Sequence, residues 1–408
     1  MLVTEPVPGP SADCWDDPAE GLAVLHVVDR VSATNSQFNE HCLPTMDRRH
    51  ITVCSLFPSG VAVPSKIRLV EGDGSLSGCL RALRRALATA EYDVVHVHAP
   101  ASGVLTLFAY LRARRPRRDL VFTVHNSWSS FRPRNRLLLL AIAAFFPVLV
   151  VCGDSAARSL PRRMRRLVRR LEVVPNGVDV ERVDRVLAAG GPRAHLSEVE
   201  PGTEPAIEIV SVNRLIPIKD PATVVAAFDA AAGPGDRLAL VGAGPLAREL
   251  AAATGPARLG NRVRLTGLVA REEVYRILDR AAIYISASRG EGLPVSVLEA
   301  MACRCPVVLS DIPPHRDIAR LVPGIPLVEV GDVAGFAEAI ARLRRLSPAA
   351  RQRLGEGMRA AVVEHFSVRA MGASYGEVYR TVSRRNGPPT GSLVRRGPHR
   401  KSPKEVRR

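Results

Sequence analysis

Short runs of apolar residues, bounded by turn-forming residues, alternate along the chain with longer segments in which apolar positions recur every three or four residues. The short runs have the length and composition of buried strands, and the longer segments have helical periodicity. Strands that alternate with helices are typical of parallel α/β layers. We predict strands at residues 22–28, 50–57, 93–99, 120–126, 148–153, 171–175, 207–213, 237–242, 262–267, 283–288, 305–310 and 325–330.

The polar segment 187–205, "LAAGGPRAHLSEVEPGTEP", divides these strands into two sets of six and is typical of a linker. The 408 residues suffice for two domains with substantial cores. We expect an α/β protein with two doubly wound parallel-sheet (Rossmann-like) domains, at 21–186 and 206–366, preceded by an N-terminal extension, 1–20. In such sheets ligands bind beyond the carboxyl ends of the strands, here in a cleft between the domains.

The net charge of +17 at pH 7 is unevenly distributed. Residues 384–408 contain nine Lys or Arg and one Glu without apolar periodicity, which predicts a basic disordered tail. Such a run suits nucleic acid or anionic lipid, although a solubilising tail is its commoner meaning. Aromatic residues are only 4% of the chain and do not interleave with basic ones, so a nucleic-acid-binding protein is the weaker alternative.

The seven cysteines form no Cys-x-x-Cys pair and no metal-ligand spacing, which favours buried thiols in a reducing cytosol. No signal peptide precedes the first strand, and we expect a cytoplasmic protein. The longest apolar run, Leu137 to Val151, is short for a membrane span and contains Pro147. It predicts a buried helix that ends before Pro147, followed by a strand.

The segment 158–170, "RSLPRRMRRLVRR", has seven arginines and no acidic residue. Its apolar residues Leu160, Met164, Leu167 and Val168 have helical spacing, so the segment resembles a basic amphipathic helix that binds an anionic membrane at the inner face. The alternative is an ordinary surface helix that packs its apolar stripe on the sheet.

Glu291 and Glu299 flank a Gly-Leu-Pro turn in "SRGEGLPVSVLEAMA", residues 288–302. Pro294 suits the first position of a helix, whose exposed amides attract phosphate. Glu299 lies about 7 to 8 Å further along the axis, so the two carboxylates address different parts of one elongated ligand, such as a sugar joined to a nucleoside through a diphosphate. An equally open alternative is a helix cap and a surface ion pair.

Other candidate groups follow predicted strands. Arg214 and Lys219 share one strand-to-helix loop, where two cations suit a diphosphate, although a solvated loop is an equal alternative. Gly242 and Gly244 fit a dinucleotide-binding pattern, but no acidic residue follows at the required distance, so only a close approach of backbone to ligand is inferred. His125 ends a strand at the cleft, where a structural hydrogen-bonded histidine is the alternative.

The segments "VVPNGVD", "VNRLIPIKDP", "LVGAGPL", "VRLTGLV" and "SRGEGLPVSVLEAMACRCPVVLSDI" together resemble the retaining glycosyltransferases of family 4, which have the GT-B fold. The order and spacing match from about residue 90 to 380. The resemblance implies a nucleotide-diphosphate sugar as co-substrate and a sugar or lipid-linked acceptor in cell-surface polysaccharide or glycolipid synthesis. It also implies that a final helix, 367–383, returns to the first domain.

The resemblance implies roles for the residues of the cleft. Arg214 and Lys219 would bind the donor diphosphate, and Glu299 would hold the ribose. The transferred sugar would lie on Glu291 and the amides of Gly292 and Leu293, with His125 near its 6-position. Other expected donor contacts are the backbone near Gly242 and Gly244 and the base-binding segment Gly267, Leu268 and Val269.

Two features depart from the family. A glycine pair usually follows the first strand, whereas this chain has no Gly between Gly21 and Gly60, and residues 32–35 are the candidate substitutes. Arg304 stands where the family often has Gly. No Asp-x-Asp follows a predicted strand, so we expect no metal and no other cofactor. Since a fold does not fix a reaction, a sugar-nucleotide 2-epimerase remains the alternative enzyme.

Overall fold

The computed structural model describes residues 17–33, 35–190, 206–255 and 259–384. Most of the predicted N-terminal extension and linker, and the tail beyond Arg384, lie outside the described residues. The two sheets of the chain are parallel throughout and carry helices on both faces, which confirms the predicted fold class.

The first sheet has seven strands in the order β3-β2-β1-β4-β5-β6-β7. Six of them confirm predicted strands, with ends that differ by a few residues. The seventh, β3, was not predicted. The strands are β1 Ala23–Val28, β2 His50–Ser55, β3 Arg68–Glu71, β4 Val94–Val97, β5 Leu120–Val124, β6 Val148–Val151 and β7 Leu171–Val173.

Helices of the first half cover this sheet. Because a crossover between parallel strands is right-handed, the helices that connect β3, β4, β5, β6 and β7 in turn all lie on one face. These helices are α1 Leu76–Thr89, α2 Pro100–Arg112, α3 Pro133–Phe145, α4 Asp154–Ser159 and α5 Arg162–Leu167. Helix α6, Val180–Ala189, follows β7 and packs against the second half.

The second sheet has six strands in the order β10-β9-β8-β11-β12-β13, and all six were predicted. Its strands are β8 Glu208–Val212, β9 Arg237–Val241, β10 Val263–Gly267, β11 Ile283–Ser286, β12 Val307–Ser310 and β13 Leu327–Val328. Its helices are α7 Pro221–Ala231, α8 Ala247–Ala253, α9 Arg271–Arg280, α10 Val295–Ala302, α11 Pro313–Ala319, α12 Val333–Arg344 and α13 Pro348–His365.

The last helix, α14 Val368–Arg384, packs against the first sheet. Met371, Tyr375, Val378, Tyr379 and Val382 of α14 are buried against the strands on the face opposite α1, α2, α3 and α5. The chain therefore crosses from the second sheet back to the first.

Three local predictions need correction. Pro294 is not the first helical residue but the residue before it, because α10 begins at Val295. The helix before Pro147 ends at Phe145 as predicted, yet it is buried on one side only: Leu137 is 68% exposed. The segment 158–170 does not form one amphipathic helix, since α4 ends at Ser159 and α5 covers only Arg162–Leu167.

The apolar residues of that segment also divide between core and surface. Leu160 and Met164 are buried in the first domain, whereas Leu167 is 44% exposed. The apolar stripe therefore packs mainly on the protein itself, as the alternative interpretation had it. Among the described residues, no helix is long and apolar enough to cross a membrane. The six described cysteines are buried thiols that form no disulfide, as predicted.

Candidate functional site

The carboxyl ends of the two sheets meet at the segment that follows β5. Asn126 forms an antiparallel bridge with Gly292, and the Ser127 hydroxyl donates a hydrogen bond of 2.7 Å to the carbonyl oxygen of Glu291. A Cβ atom at Gly292 would overlap the carbonyl oxygen of His125. The structure thus brings together His125 from the first sheet and the Glu291–Gly292 turn from the second, two groups that the sequence predicts to share a site.

Leu293 extends this contact. Its carbonyl oxygen accepts a hydrogen bond of 3.0 Å from the Asn176 side chain. Burial raises the pKa of Cys152 to about 12. A hydrogen bond from the Leu293 backbone to the Cys152 thiol acts in the opposite direction and lowers that pKa. The Leu293 amide, which the sequence assigns to the transferred sugar, therefore faces the thiol of the first domain in this structure.

Lys219 and Glu291 form an ion pair in the cleft, with the ammonium donating to the carboxylate. Their side chains are only 17% and 10% exposed, so solvent screens the pair less than it would at the surface. Lys219 ends a single 3₁₀ turn, Pro217–Lys219, after β8. Arg214, in the same loop, is exposed at the carboxyl end of the sheet.

Gly242 and Gly244 bring two strand-end loops together. Gly242 has a φ of +133°, and a Cβ atom there would overlap the carbonyl oxygen of Asn213. A Cβ atom at Gly244 would overlap the backbone of Leu215. Close packing of the chain on itself therefore already requires glycine at both positions, and their contact with a donor stays a prediction.

The predicted base-binding segment begins at the end of β10. Gly267 has a left-handed φ of +69° and accepts a hydrogen bond of 3.0 Å from the Gly242 amide. Leu268 is 73% exposed, whereas Val269 packs against the core. The segment thus presents backbone and one exposed leucine near the loops of β8 and β9.

Glu299 is buried inside α10, where Arg271 at the start of α9 is its partner at 3.8 Å. The same guanidinium group donates to Glu40 of the first domain. Burial raises the pKa of Glu299 and of Glu40, and the charge of Arg271 opposes both shifts. One arginine therefore balances two buried carboxyl groups, one from each domain.

Glu40 belongs to a π-helix, Gln37–Cys42, that stands where the family usually has its glycine pair. Single turns of this kind are rare and are frequent at functional sites. The Asn39 amide group donates to the carbonyl oxygens of Ser32, Ala33 and Asn35, at 3.2, 3.2 and 2.7 Å. These candidate substitutes thus build the turn that carries Glu40, while Thr34 lies outside the described residues.

His125 is the outer member of a chain of three imidazoles. Its Nε2 lies 3.1 Å from Nδ1 of His98, and Nε2 of His98 lies 3.1 Å from Nδ1 of His26. Burial lowers the pKa of His125 to about 4 and that of His26 to about 3, so the imidazoles are neutral at pH 7. A neutral imidazole donates through one nitrogen only, so the tautomers of the three rings depend on one another.

His96 and His41 complete the cluster. His96 lies 2.6 Å from the Tyr379 hydroxyl and 2.7 Å from the Thr123 hydroxyl. Among the described residues, His26, His96 and His98 are a group whose spacing suits a metal ion. Both nitrogens of His96 and of His98 already have hydrogen-bond partners, whereas Nε2 of His26 is buried without one.

The sequence analysis did not identify this cluster or Arg271. His96 lies in β4 and His98 directly follows that strand; their spacing of two residues was a usable signal, because it places both on one face of an extended chain. His26 pairs with His96 in the sheet register. Nothing local to Arg271 marks its link to Glu40, 231 residues away.

Comparisons with known proteins agree with this architecture. A model described as "Glycosyltransferase Family 4" matches residues 43–182, and one described as "Glycosyl transferases group 1" matches residues 206–345. The two matches fall on the first and the second sheet, respectively.

The names of curated relatives also describe glycosyl transfer. The chain is 24% identical to UDP-Gal:alpha-D-GlcNAc-diphosphoundecaprenol alpha-1,3-galactosyltransferase of Escherichia coli, over 65% of this chain and 69% of the relative. It is 27% identical to phosphatidyl-myo-inositol mannosyltransferase of Mycobacterium leprae (strain TN), over 74% of this chain and 76% of the relative.

Solved structures share the fold at low identity. Anabaena Alr3699/HepE, in complex with UDP and glucose, has a TM-score of 0.67 at 18% identity, with 88% of this chain and 100% of that chain covered. Sucrose-phosphate synthase of Thermosynechococcus elongatus has a TM-score of 0.69 at 19% identity, with 88% and 99% covered. Fold, domain models and relatives together define the chain as a glycosyltransferase of the GT-B fold.

Proposed function

We propose that the chain is a retaining glycosyltransferase of family 4 that moves a sugar from a nucleoside diphosphate sugar to an acceptor hydroxyl. The supporting observation is the Lys219–Glu291 ion pair, placed next to Gly292 where the turn touches the strand end of His125. A cation for the diphosphate and a carboxylate for the sugar thus occupy adjacent positions at the carboxyl ends of both sheets.

The proposed donor lies along the second domain. Its diphosphate binds Arg214, Lys219 and the first amides of α10, its ribose binds Glu299, and its base lies along Gly267, Leu268 and Val269. The transferred sugar lies on Glu291 at Gly292 and Leu293, with His125 near its 6-position. Gly242 and Gly244 keep the loops of β8 and β9 close beneath the diphosphate.

In the proposed mechanism, the bond between the sugar and the diphosphate breaks as negative charge develops on the leaving phosphate. Arg214, Lys219 and the α10 amides stabilise that charge. Stabilisation of charge that develops in the transition state is usually the largest single contribution to the rate. The acceptor hydroxyl attacks from the same face and gives its proton to the departing phosphate, so the anomeric configuration is retained. No metal or other cofactor takes part in this scheme.

The names of the relatives support a sugar or lipid-linked acceptor. One names a diphosphoundecaprenol-linked acceptor and one phosphatidyl-myo-inositol. We therefore place the enzyme in cell-surface polysaccharide or glycolipid synthesis, in the cytoplasm.

Incubation with a panel of nucleotide sugars tests this function. We expect transfer to sugar or lipid-linked acceptors with an excess of EDTA present, and a product whose anomeric configuration, read by proton NMR, matches that of the donor. Interconversion of nucleotide sugars without acceptor would instead indicate the epimerase, which the names of the relatives do not favour. An inverted product would contradict the retaining mechanism.

A further inference from the structure

Helices α1, α2, α3 and α5 form one layer whose outer surface faces away from the first sheet. The four helices contain ten arginines and no Asp or Glu. Most of these arginines are exposed. Since the catalytic candidates lie elsewhere, the proposed reaction leaves this charge unexplained. We call this outer surface the arginine face.

The arginine face also exposes large apolar side chains. Of thirteen exposed large hydrophobic residues in the part of the chain that the structure describes, six lie on these four helices. Their exposed fractions reach 68% for Leu137 and 61% for Leu111. The six are Leu76, Phe108, Leu111, Leu137, Phe145 and Leu167.

A groove between α1 and α2 is lined by both apolar and basic side chains. It encloses about 480 Å³ and is lined by Leu80, Arg84, Phe108, Ala109, Arg112 and Ala113. Phe108 is 53% exposed, and Arg84 and Arg112 are exposed on either helix. The groove thus has an apolar lining with two guanidinium groups, and no acidic residue lines it.

A second, larger recess lies at the amino end of the first sheet. It encloses about 600 Å³ and is lined by four arginines and two prolines, namely Arg115, Pro116, Arg117, Arg118, Pro147 and Arg169. Arg117 lies over the exposed ring of Phe145, with 5.0 Å between the guanidinium carbon and the ring centroid. Basic charge therefore continues along the edge of the same helical layer.

We propose that the arginine face docks on a bilayer of anionic phospholipids. Exposed apolar side chains among basic ones, on four helices that contain no acidic residue, are what an interfacial membrane contact requires. Anionic headgroups attract each nearby arginine, and the leucines and phenylalanines enter the acyl boundary. Nucleic acid would use the arginines but would leave Leu76, Leu111, Leu137 and Leu167 exposed to water.

The placement of the face suits a membrane-bound acceptor without depending on it. Helices α1, α2 and α3 each follow the carboxyl end of a strand, so their first turns lie on the cleft side of the sheet. Leu76, which is 68% exposed, is the first residue of α1, and Leu137, equally exposed, is the fifth residue of α3. The arginine face therefore reaches the cleft side of the sheet at these first turns and extends along the helices to the recess at the amino end of the sheet.

Vesicles of phosphatidylglycerol and phosphatidylcholine test the proposal with the full chain. We expect Phe108→Trp to gain fluorescence quenched by brominated anionic lipid, beyond the signal of the native tryptophans. Val363→Trp, at an exposed position of α13, is the matched control and should gain no such signal. Equal quenching at both positions, or none at Phe108→Trp, would overturn the proposal. Attachment through the basic tail alone would give such a result, because it would not bring α2 into the bilayer.

Charge reversal gives a second, independent measurement. Arg84→Glu with Arg112→Glu should weaken partition onto anionic vesicles at least about 30-fold, since each arginine near the surface contributes about a fivefold effect. Arg248→Glu with Arg342→Glu makes the same change in net charge on exposed positions of α8 and α12 and should have a much smaller effect. Equal weakening by both pairs, or loss of duplex or RNA binding with vesicle binding unchanged, would contradict a lipid-specific face.

Discussion

Lys219 donates a hydrogen bond to Glu291, and this ion pair lies where the second sheet meets the strand end of His125. In the proposed complex the donor diphosphate is a competing anion for Lys219. Binding of the diphosphate therefore releases the Glu291 carboxylate toward the sugar. The pair links recognition of the leaving group to the placement of the group that is transferred.

Gly292→Ala should abolish most activity, because the added Cβ overlaps the His125 carbonyl oxygen and pushes the sugar-binding turn away from the first domain. A misplacement of about 1 Å costs about 100-fold in rate. Steady-state kinetics measure the loss, and circular dichroism checks the fold. Gly357→Ala, on the exposed side of α13 with open space around its Cβ position, is the control and should stabilise the helix by up to about 1 kcal/mol. Normal kcat/KM for Gly292→Ala would refute the interdomain contact.

Arg271→Ala should destabilise the protein by about 3 to 5 kcal/mol, because it leaves the buried carboxyl groups of Glu40 and Glu299 without their shared cation. Arg276→Ala, one turn further along α9, removes only an exposed pair with Glu273 and should cost at most about 1 kcal/mol. Urea unfolding of both variants gives the comparison. Similar, small losses in the two variants would show that Arg271 does not hold the domains together.

Acid should destabilise the protein below about pH 6.5. Burial lowers the pKa of His26 to about 3 and that of His315 to about 4, whereas histidine in an unfolded chain titrates near 6.5. The stability contributed by each neutral histidine is fully present above pH 6.5 and is lost as the pH falls toward the folded pKa. For each histidine, the free energy of unfolding falls by at most about 1.4 kcal/mol per pH unit.

The raised pKa values of Glu40 and Glu299 act in the opposite direction, because these groups take up protons more readily in the folded state. Unfolding by urea at pH 7, 6 and 5 measures the net slope. His26→Leu should flatten that slope by up to one proton. A slope that is the same in the variant and the wild type would disprove the assignment of His26 as a neutral buried group.

Arg304→Gly should stabilise the protein by about 0.5 to 1 kcal/mol. Arg304 follows α10 with a left-handed φ of +60°, a conformation that costs a residue with a side chain about 1 to 2 kcal/mol and that glycine adopts freely. The same geometry gives a physical reason for glycine at this position in the family. Arg304→Ala keeps the Cβ and should bring no gain, so thermal unfolding of the two variants isolates the backbone effect.

The strands were predictable because a strand buried on both faces reads as a continuous apolar run. β3 was not predicted because it is a four-residue edge strand, "RLVE", in which charged residues occupy both ends. The cleft residues in the loops after β5, β8 and β11 were predictable for a related reason. Once a strand has been located, its carboxyl end shows where a cleft residue follows.

The remaining parts of the site depend on contacts between distant segments. His26 lies in β1, and His98 and His125 directly follow β4 and β5, so only the sheet order β1-β4-β5 makes them neighbours. Arg271 reaches Glu40 because a π-helix, which has no sequence signature of its own, turns that carboxyl group inward. The arginine face likewise appears only when four helices are seen side by side.

Calorimetric titration of a nucleoside diphosphate into the wild type, Glu299→Ala and Glu291→Ala tests the central claim, that the two glutamates divide one donor. Glu299→Ala should weaken binding about 10- to 150-fold, since loss of a hydrogen bond to a charged group costs about 1.5 to 3 kcal/mol. Glu291→Ala should bind as the wild type does or more tightly, because Lys219 is then free for the diphosphate, while turnover falls. Wild-type affinity in both variants would contradict the ribose role of Glu299 and, with it, the proposed donor site.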